Sequence, residues 1–199
     1  MNTQEVMPMY KLCKTEQSAS RQHALEAGLL AAMGNQHYEE ISVSDLCDQL
    51  QIPRKAFYRY FTGKDGALHA LLDHTLMEYE TSPLPSMKTR TARTELERFF
   101  QFWITHKPLL DALQHSNLSG LLIERAINYA LTDVLMPKRF LSQEDREIQE
   151  QVTSFAVCGL MSMVLSWHHS GYPQSASHMA GLAVRLLSQP LFSNVREFI

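Results

Sequence analysis

Apolar residues in this 199-residue chain recur at intervals of three and four almost from end to end. No stretch alternates apolar and polar residues at the period of two that a half-buried strand needs. The pattern restricts the chain to helices packed on helices, an all-α fold, and helix signals cut it into segments. Leu25, Leu29, Ala32 and Met33 mark one face of a helix over 19–34. Ser42-Val-Ser-Asp45 reads as a capping box, and Val43, Leu46, Cys47 and Leu50 follow at core-face spacings, which predicts a short second helix. Gln51-Ile52 is a tight connection, and Pro53 pre-sets the backbone for a third helix that carries Phe57 and Phe61 on one face. Gly63 breaks it. A fourth helix starts near Asp65 and runs through Leu68, Leu71, Leu72, Leu76 and Tyr79.

Prolines 83 and 85 cannot sit inside a helix, so Thr81–Ser86 reads as a linker. The expected organisation is a tail over 1–18, a small helical domain over 19–66, a connecting helix and linker over 67–86, and a larger helical domain over 87–199. In that last part helices are predicted around 91–106, from Pro108, over 118–135 up to Pro137, over 143–170 up to Gly171-Tyr-Pro173, and over 175–188 before Pro190.

Composition narrows the class. Eighteen basic against 21 acidic residues give a net charge of −3, so any attraction for nucleic acid has to come from a local patch. Three cysteines without a CxxC pair argue against a disulfide framework and a structural zinc site. The beginning of the chain lacks the apolar core of a signal peptide, and the longest apolar stretch, Phe155 to Trp167, falls short of the roughly 20 residues of a membrane span. The expectation is a cytoplasmic protein without membrane or cofactor. Nothing marks an enzyme: there is no phosphate-cradling glycine loop, nucleophile elbow or HExxH.

The chemistry concentrates between Ser42 and Lys64. Two short helices joined by a tight turn form a helix-turn-helix, whose second helix can enter the major groove of duplex DNA. At about 100° per residue from Phe57, Phe61 falls near 40° and faces the core, whereas Lys55 falls near 160° and Arg59 near 200°, pointing away from it. Arg54, Lys55, Arg59 and Lys64 are basic, and no acidic residue lies among them. Lysine and arginine neutralise phosphates or reach guanine, and the Tyr58 hydroxyl can bond a phosphate. The stretches Tyr38-Glu-Glu-Ile-Ser-Val-Ser-Asp-Leu-Cys47 and Ile52-Pro-Arg-Lys-Ala-Phe-Tyr-Arg-Tyr-Phe61-Thr-Gly-Lys64 resemble the DNA-binding domain of TetR-family transcriptional regulators. The resemblance covers about 50 residues, from near Arg21 to Leu72. It implies a homodimer bound to palindromic operator DNA, most simply as a repressor released by a small molecule. It also implies phosphate and base contacts at Ser42, Val43, Ser44, Arg54, Lys55, Ala56, Tyr58, Tyr60 and Lys64. His37 and Gln51 stand where the family usually has glycine, which predicts strained left-handed backbone at both. Lys55 and Ala56 stand where it often has glycine or proline and threonine, so base preference does not carry over. The alternative is a helical interaction module of the same shape without specific DNA binding.

The helix around Phe155–Trp167 is apolar on nearly every side and therefore has to be covered on every side, which points to a partner chain. Phe155, Gly159, Met163 and Trp167, with Met179, Ala180, Ala183 and Leu187 of the last helix, make the expected homodimer interface. Phe99, Trp103, His106, His115, Tyr129, Met161 and Trp167 are the expected lining of a pocket for an unidentified small molecule. No metal site is expected, because His168 and His169 point to different faces and no carboxylate or cysteine completes a set with His178. Cys47 and Cys158 are expected to pack as small hydrophobes.

Overall fold

A computed structural model describes residues 9–83, 90–132 and 143–188. Within them nine α-helices run in the order α1 Glu16–Met33, α2 Val43–Gln49, α3 Arg54–Phe57, α4 Lys64–Thr81, α5 Ala92–Thr105, α6 Lys107–His115, α7 Ser119–Ala130, α8 Gln143–His169 and α9 Ala176–Ser188, with a 3-10 turn at Tyr38–Glu40. The fold is all-α, and one isolated antiparallel bridge, Tyr10 to Phe61, is the β pairing among the described residues. The predicted stretch up to Leu135 and Pro137, most of the 81–86 linker, and Pro190 lie outside the described residues.

Helix ends fall where side-chain chemistry puts them. Thr15 caps α1 by accepting the Ser18 N–H at 3.3 Å. The Ser42 hydroxyl accepts the Asp45 N–H at 3.1 Å and donates to the Asp45 carboxylate at 2.6 Å. Thr91 and Thr94 exchange bonds in a reciprocal cap that opens α5. Three helices close alike. Past α2, the Gln51 N–H bonds to the Asp48 carbonyl and the Ile52 N–H to the Cys47 carbonyl, the double bond of a Schellman motif. Asn117 after α6 and Gly171 after α8 sit at the same position, with φ of 57° and 77°. Gln51 adopts φ 53°, as expected, but His37 does not: at φ −62° and ψ 141° it is ordinary extended backbone. His37 leads into a 3-10 turn, where no left-handed residue is called for. Gln51→Gly therefore stabilises the chain by about 0.5–1 kcal/mol by relieving the left-handed cost to a side-chain-bearing residue. Denaturant midpoints of the two proteins check it.

The chain divides into two compact units. The first holds 1–77 and Asp111–Leu118, and the second holds Glu78–Leu110 and 119–199. In the first, Leu29, Met33, Leu46, Phe57, Phe61, Leu68 and Leu72 form the core. The set-aside tail is partly structured: the Lys11 N–H bonds to the Tyr60 carbonyl at 2.8 Å and the Thr62 N–H to the Met9 carbonyl at 3.0 Å. Gly66 leaves room for that segment, since a Cβ there would lie 2.2 Å from the Met9 carbonyl oxygen. The second half of α6 joins this unit, with the Ser116 hydroxyl accepting the Tyr38 N–H at 3.0 Å.

In the second unit α5 packs on α9 and α7 on α8, around Phe100, Trp103, Leu122, Met161, Val164 and Trp167. The Trp167 ring stands edge-on to Phe100 at 5.6 Å. Helix α8 departs from all-round burial: within one chain Phe155 is 65% exposed, and Gly159 and Cys158 are exposed. Its 144–169 stretch is, among the described residues, the one helix long and apolar enough to cross a membrane.

Candidate nucleic-acid interface

Helix α3 is shorter than the predicted third helix, ending at Phe57. The backbone nevertheless coils for one more turn, with the Phe61 N–H bonded to the Phe57 carbonyl at 3.2 Å. That extra turn keeps the helical facing. Phe57 is completely buried and packs on Phe61 at 5.0 Å between ring centroids. Arg54, Lys55, Tyr58 and Arg59 are exposed, and Ala56 is half-buried. The Arg54 guanidinium lies 5.9 Å from the centre of the Tyr58 ring, one helical turn on. Tyr58 pushes the Arg54 pKa still higher, so this charge is permanent. On α2, Ser42 is exposed, and Val43 and Ser44 are half-buried beside it.

Two expected contact residues sit differently. Tyr60 is 6% exposed. Three residues past Phe57 it falls near 300° on the helix, the side of Phe61, so the rotation that turns Arg59 outward turns Tyr60 inward. Lys64 is half-buried and donates to the Tyr38 carbonyl at 2.7 Å and the Glu39 carbonyl at 3.4 Å, with its ammonium 4.3 Å from the centre of the Tyr38 ring. Its placement ties the 3-10 turn to the start of α4. The Tyr38 hydroxyl donates to Asp65, and burial, with that carboxylate second, raises the Tyr38 pKa far above its usual value. An unfolded tyrosine ionises near pH 10 while the folded one keeps its proton. Stability is thus fully present below pH 10 and falls as the pH climbs past it, by up to about 1.4 kcal/mol per pH unit for this group. Urea midpoints between pH 9 and 11 decline less steeply in Tyr38→Phe.

Cys47 is buried and its thiol is pushed up chiefly by that burial, so it packs as a hydrophobe. Cys158 does not, being exposed on α8.

The expected pocket residues do not form one group. His115 belongs to the first unit, where its ring stacks on His37 at 4.0 Å. In the second unit the half-buried His106 stacks on Phe102 at 4.1 Å and takes its Nδ1 to the Phe102 carbonyl at 2.9 Å. Phe99 and Trp103 are edge-on at 6.4 Å, and Tyr129 donates to Glu80. Met161 is buried, and the Trp167 indole donates to the Gln174 carbonyl at 3.2 Å. Among the described residues the Trp103 indole N–H is buried without a partner, a feature no sequence pattern reports. Of the expected interface residues, Phe155, Gly159 and Leu187 are exposed and Met163 is half-buried. Trp167, Met179, Ala180 and Ala183 are buried within their own chain. Phe155, Gly159, Leu160, Met163, Leu186 and Leu187 line an apolar groove of about 170 Å³ between α8 and α9.

No protein-family model matches the chain, and no curated protein sequence does. Solved structures do. The chain is similar to the dihydroxyacetone kinase operon activator DhaS, at 15% identity and a TM-score of 0.55, over 84% of this chain and 94% of that one. It is also similar to a TetR-family transcriptional regulator from Streptomyces coelicolor, at 18% identity and a TM-score of 0.52, over 85% and 79% of the two chains. The fold of this chain is TetR-like, and it is helical throughout the elements of the described residues.

Proposed function

We propose that the chain is a sequence-specific DNA-binding transcriptional regulator that acts as a homodimer on a palindromic operator. The reading rests on one observation: Arg54, Lys55, Tyr58 and Arg59 stand together in solvent on a proline-started helix whose other side is fixed by the buried Phe57. Ser42, Val43, Ser44 and Ala56 complete the contact surface. Tyr60 and Lys64 support it from behind. Such a face meets phosphates with its cations and base edges with what remains.

A second copy of the chain covers α8 and α9 in this reading, laying its own apolar groove on Phe155, Gly159, Met163 and Leu187. A membrane is the poorer occupant, because Glu144, Asp145, Arg146, Glu147 and Glu150 crowd the start of α8 while the apolar surface continues onto α9. Phe155→Glu buries a charge without a partner in each copy, at several kcal/mol per ion. The dimer dissociation constant accordingly rises at least about 100-fold. Sedimentation measures it, and an unchanged dimer would place the interface elsewhere.

The effector in this reading is a small molecule held in the second unit, where among the described residues the Trp103 indole N–H is buried without a partner. A ligand that prefers the dimer with wrongly spaced recognition helices lowers operator affinity by its differential binding; in this reading the regulator is a repressor working in the cytoplasm. The test is selection of sequences from a random duplex library by the purified protein, with salt titration of the winners. An enriched palindrome with steep salt dependence is expected. Absence of any enriched sequence, with or without cell extract, would leave a helical interaction module.

A further inference from the structure

In the first unit the fold brings together three side chains that lie far apart in the sequence. His23 and Glu26 share one face of α1, and His74, 48 residues beyond Glu26, reaches them from α4. The Glu26 side chain is 2% exposed. Its Oε2 lies 2.9 Å from His74 Nδ1 and 3.3 Å from His23 Nδ1, and its Oε1 lies 3.0 Å from His74 Nδ1. One nitrogen from each histidine and one carboxylate oxygen all fall within 4.8 Å of one another. A carboxylate this buried needs polar partners, and among the described residues its close partners of the ion-pair kind are the two imidazoles alone.

We propose that His23, Glu26 and His74 form a binding site for a Zn²⁺-class divalent ion that joins α1 to α4. Two imidazoles and a carboxylate are a borderline donor set, suited to zinc and its neighbours and unsuited to Mg²⁺ or Ca²⁺, which take oxygen ligands. With metal–ligand bonds of roughly 2.0–2.2 Å, two ligand atoms of a tetrahedral ion stand about 3.3 Å apart. The two distances to Glu26 Oε2 already match that within a few tenths of an ångström. The remaining separation closes through His23, whose side chain is about half exposed and free to adjust. His74 is held from the other side: the Tyr10 ring stands edge-on to it at 5.8 Å, and the Tyr10 hydroxyl donates to Asp73 at 2.6 Å. Three protein ligands leave a fourth position open to water through the exposed side of His23. The site does not depend on what the helix-turn-helix reads.

Chelator-stripped full-length protein is titrated with Zn²⁺ against a chromophoric indicator, and Co²⁺ then serves as an absorbing substitute. The expected result is one tightly held Zn²⁺ per chain, the Co²⁺ absorption of a four-coordinate nitrogen–oxygen site, and a melting temperature that rises with Zn²⁺. His23→Ala removes a ligand at a position the core does not need. It weakens binding by at least about 10- to 100-fold, which is the loss that follows even when a mere supporting partner of a ligand is removed. His74→Ala does the same, while His37→Ala and His115→Ala leave the affinity unchanged. Wild-type protein that binds Zn²⁺ no better than His23→Ala would overturn the proposal. So would stoichiometric binding that survives both ligand substitutions, and Glu26 would then be held by imidazole hydrogen bonds alone.

Discussion

Phe57→Ala lowers the stability of the first unit by about 3–5 kcal/mol, the range for deleting a fully buried phenylalanine ring. The side chain has no exposed surface, touches Tyr58 edge-on at 5.7 Å and packs on Phe61, so its loss opens a cavity where α3 meets the core. For a unit of this size the melting temperature falls by more than about 12 °C. Calorimetry of the variant beside Lys55→Ala separates the two sides of one helix, since the exposed lysine contributes within about ±0.5 kcal/mol. An unchanged melting temperature in Phe57→Ala would mean that the helix faces the other way.

The second large effect is on DNA and leaves the fold alone. Lys55→Ala combined with Arg59→Ala removes two cations per chain, and four in the proposed homodimer. If all four meet phosphates, the slope of log affinity against log salt becomes shallower by about 3.6, at roughly 0.9 per phosphate. Affinity at low salt drops by orders of magnitude while the melting temperature holds. A large loss of affinity with the slope unchanged would move both side chains from phosphates to base edges, and specificity would then relax as well. Retention of full affinity would remove this face from the proposed function.

Helix limits were readable because the punctuation is chemical. Ser42 caps α2 and Gly171 closes α8 as their sequence signals predict, whereas the Thr15 and Thr91 caps emerge only in the structure; with apolar spacing as the guide, the predicted bounds of α1, α5, α8 and α9 fall within three residues of those observed. Gln51 shows that the same closure can be made without glycine, and His37 that a glycine-favouring position can become extended when the chain enters a 3-10 turn instead. The facing of α3 followed from rotation per residue. Tyr60 went astray only where a family contact was carried over against that arithmetic. What the sequence could not convey is convergence. Nothing in the spacing of His23, Glu26 and His74 reveals that two helices place them around one point. Periodicity likewise marks α8 as needing cover without saying which chain supplies it.

The first unit is closed by pieces from three separate parts of the chain: Met9–Lys11 along Tyr60–Thr62, the helical core, and Asp111–Leu118 beside Tyr38. It is therefore not a cassette. A chimaera cut at the proline linker would leave behind Ser116 and the His37–His115 stack, and one begun at residue 19 would discard the segment for which Gly66 makes room. Exchanging this unit for another means transplanting a discontinuous set of residues, with two of the three seams placed inside helices.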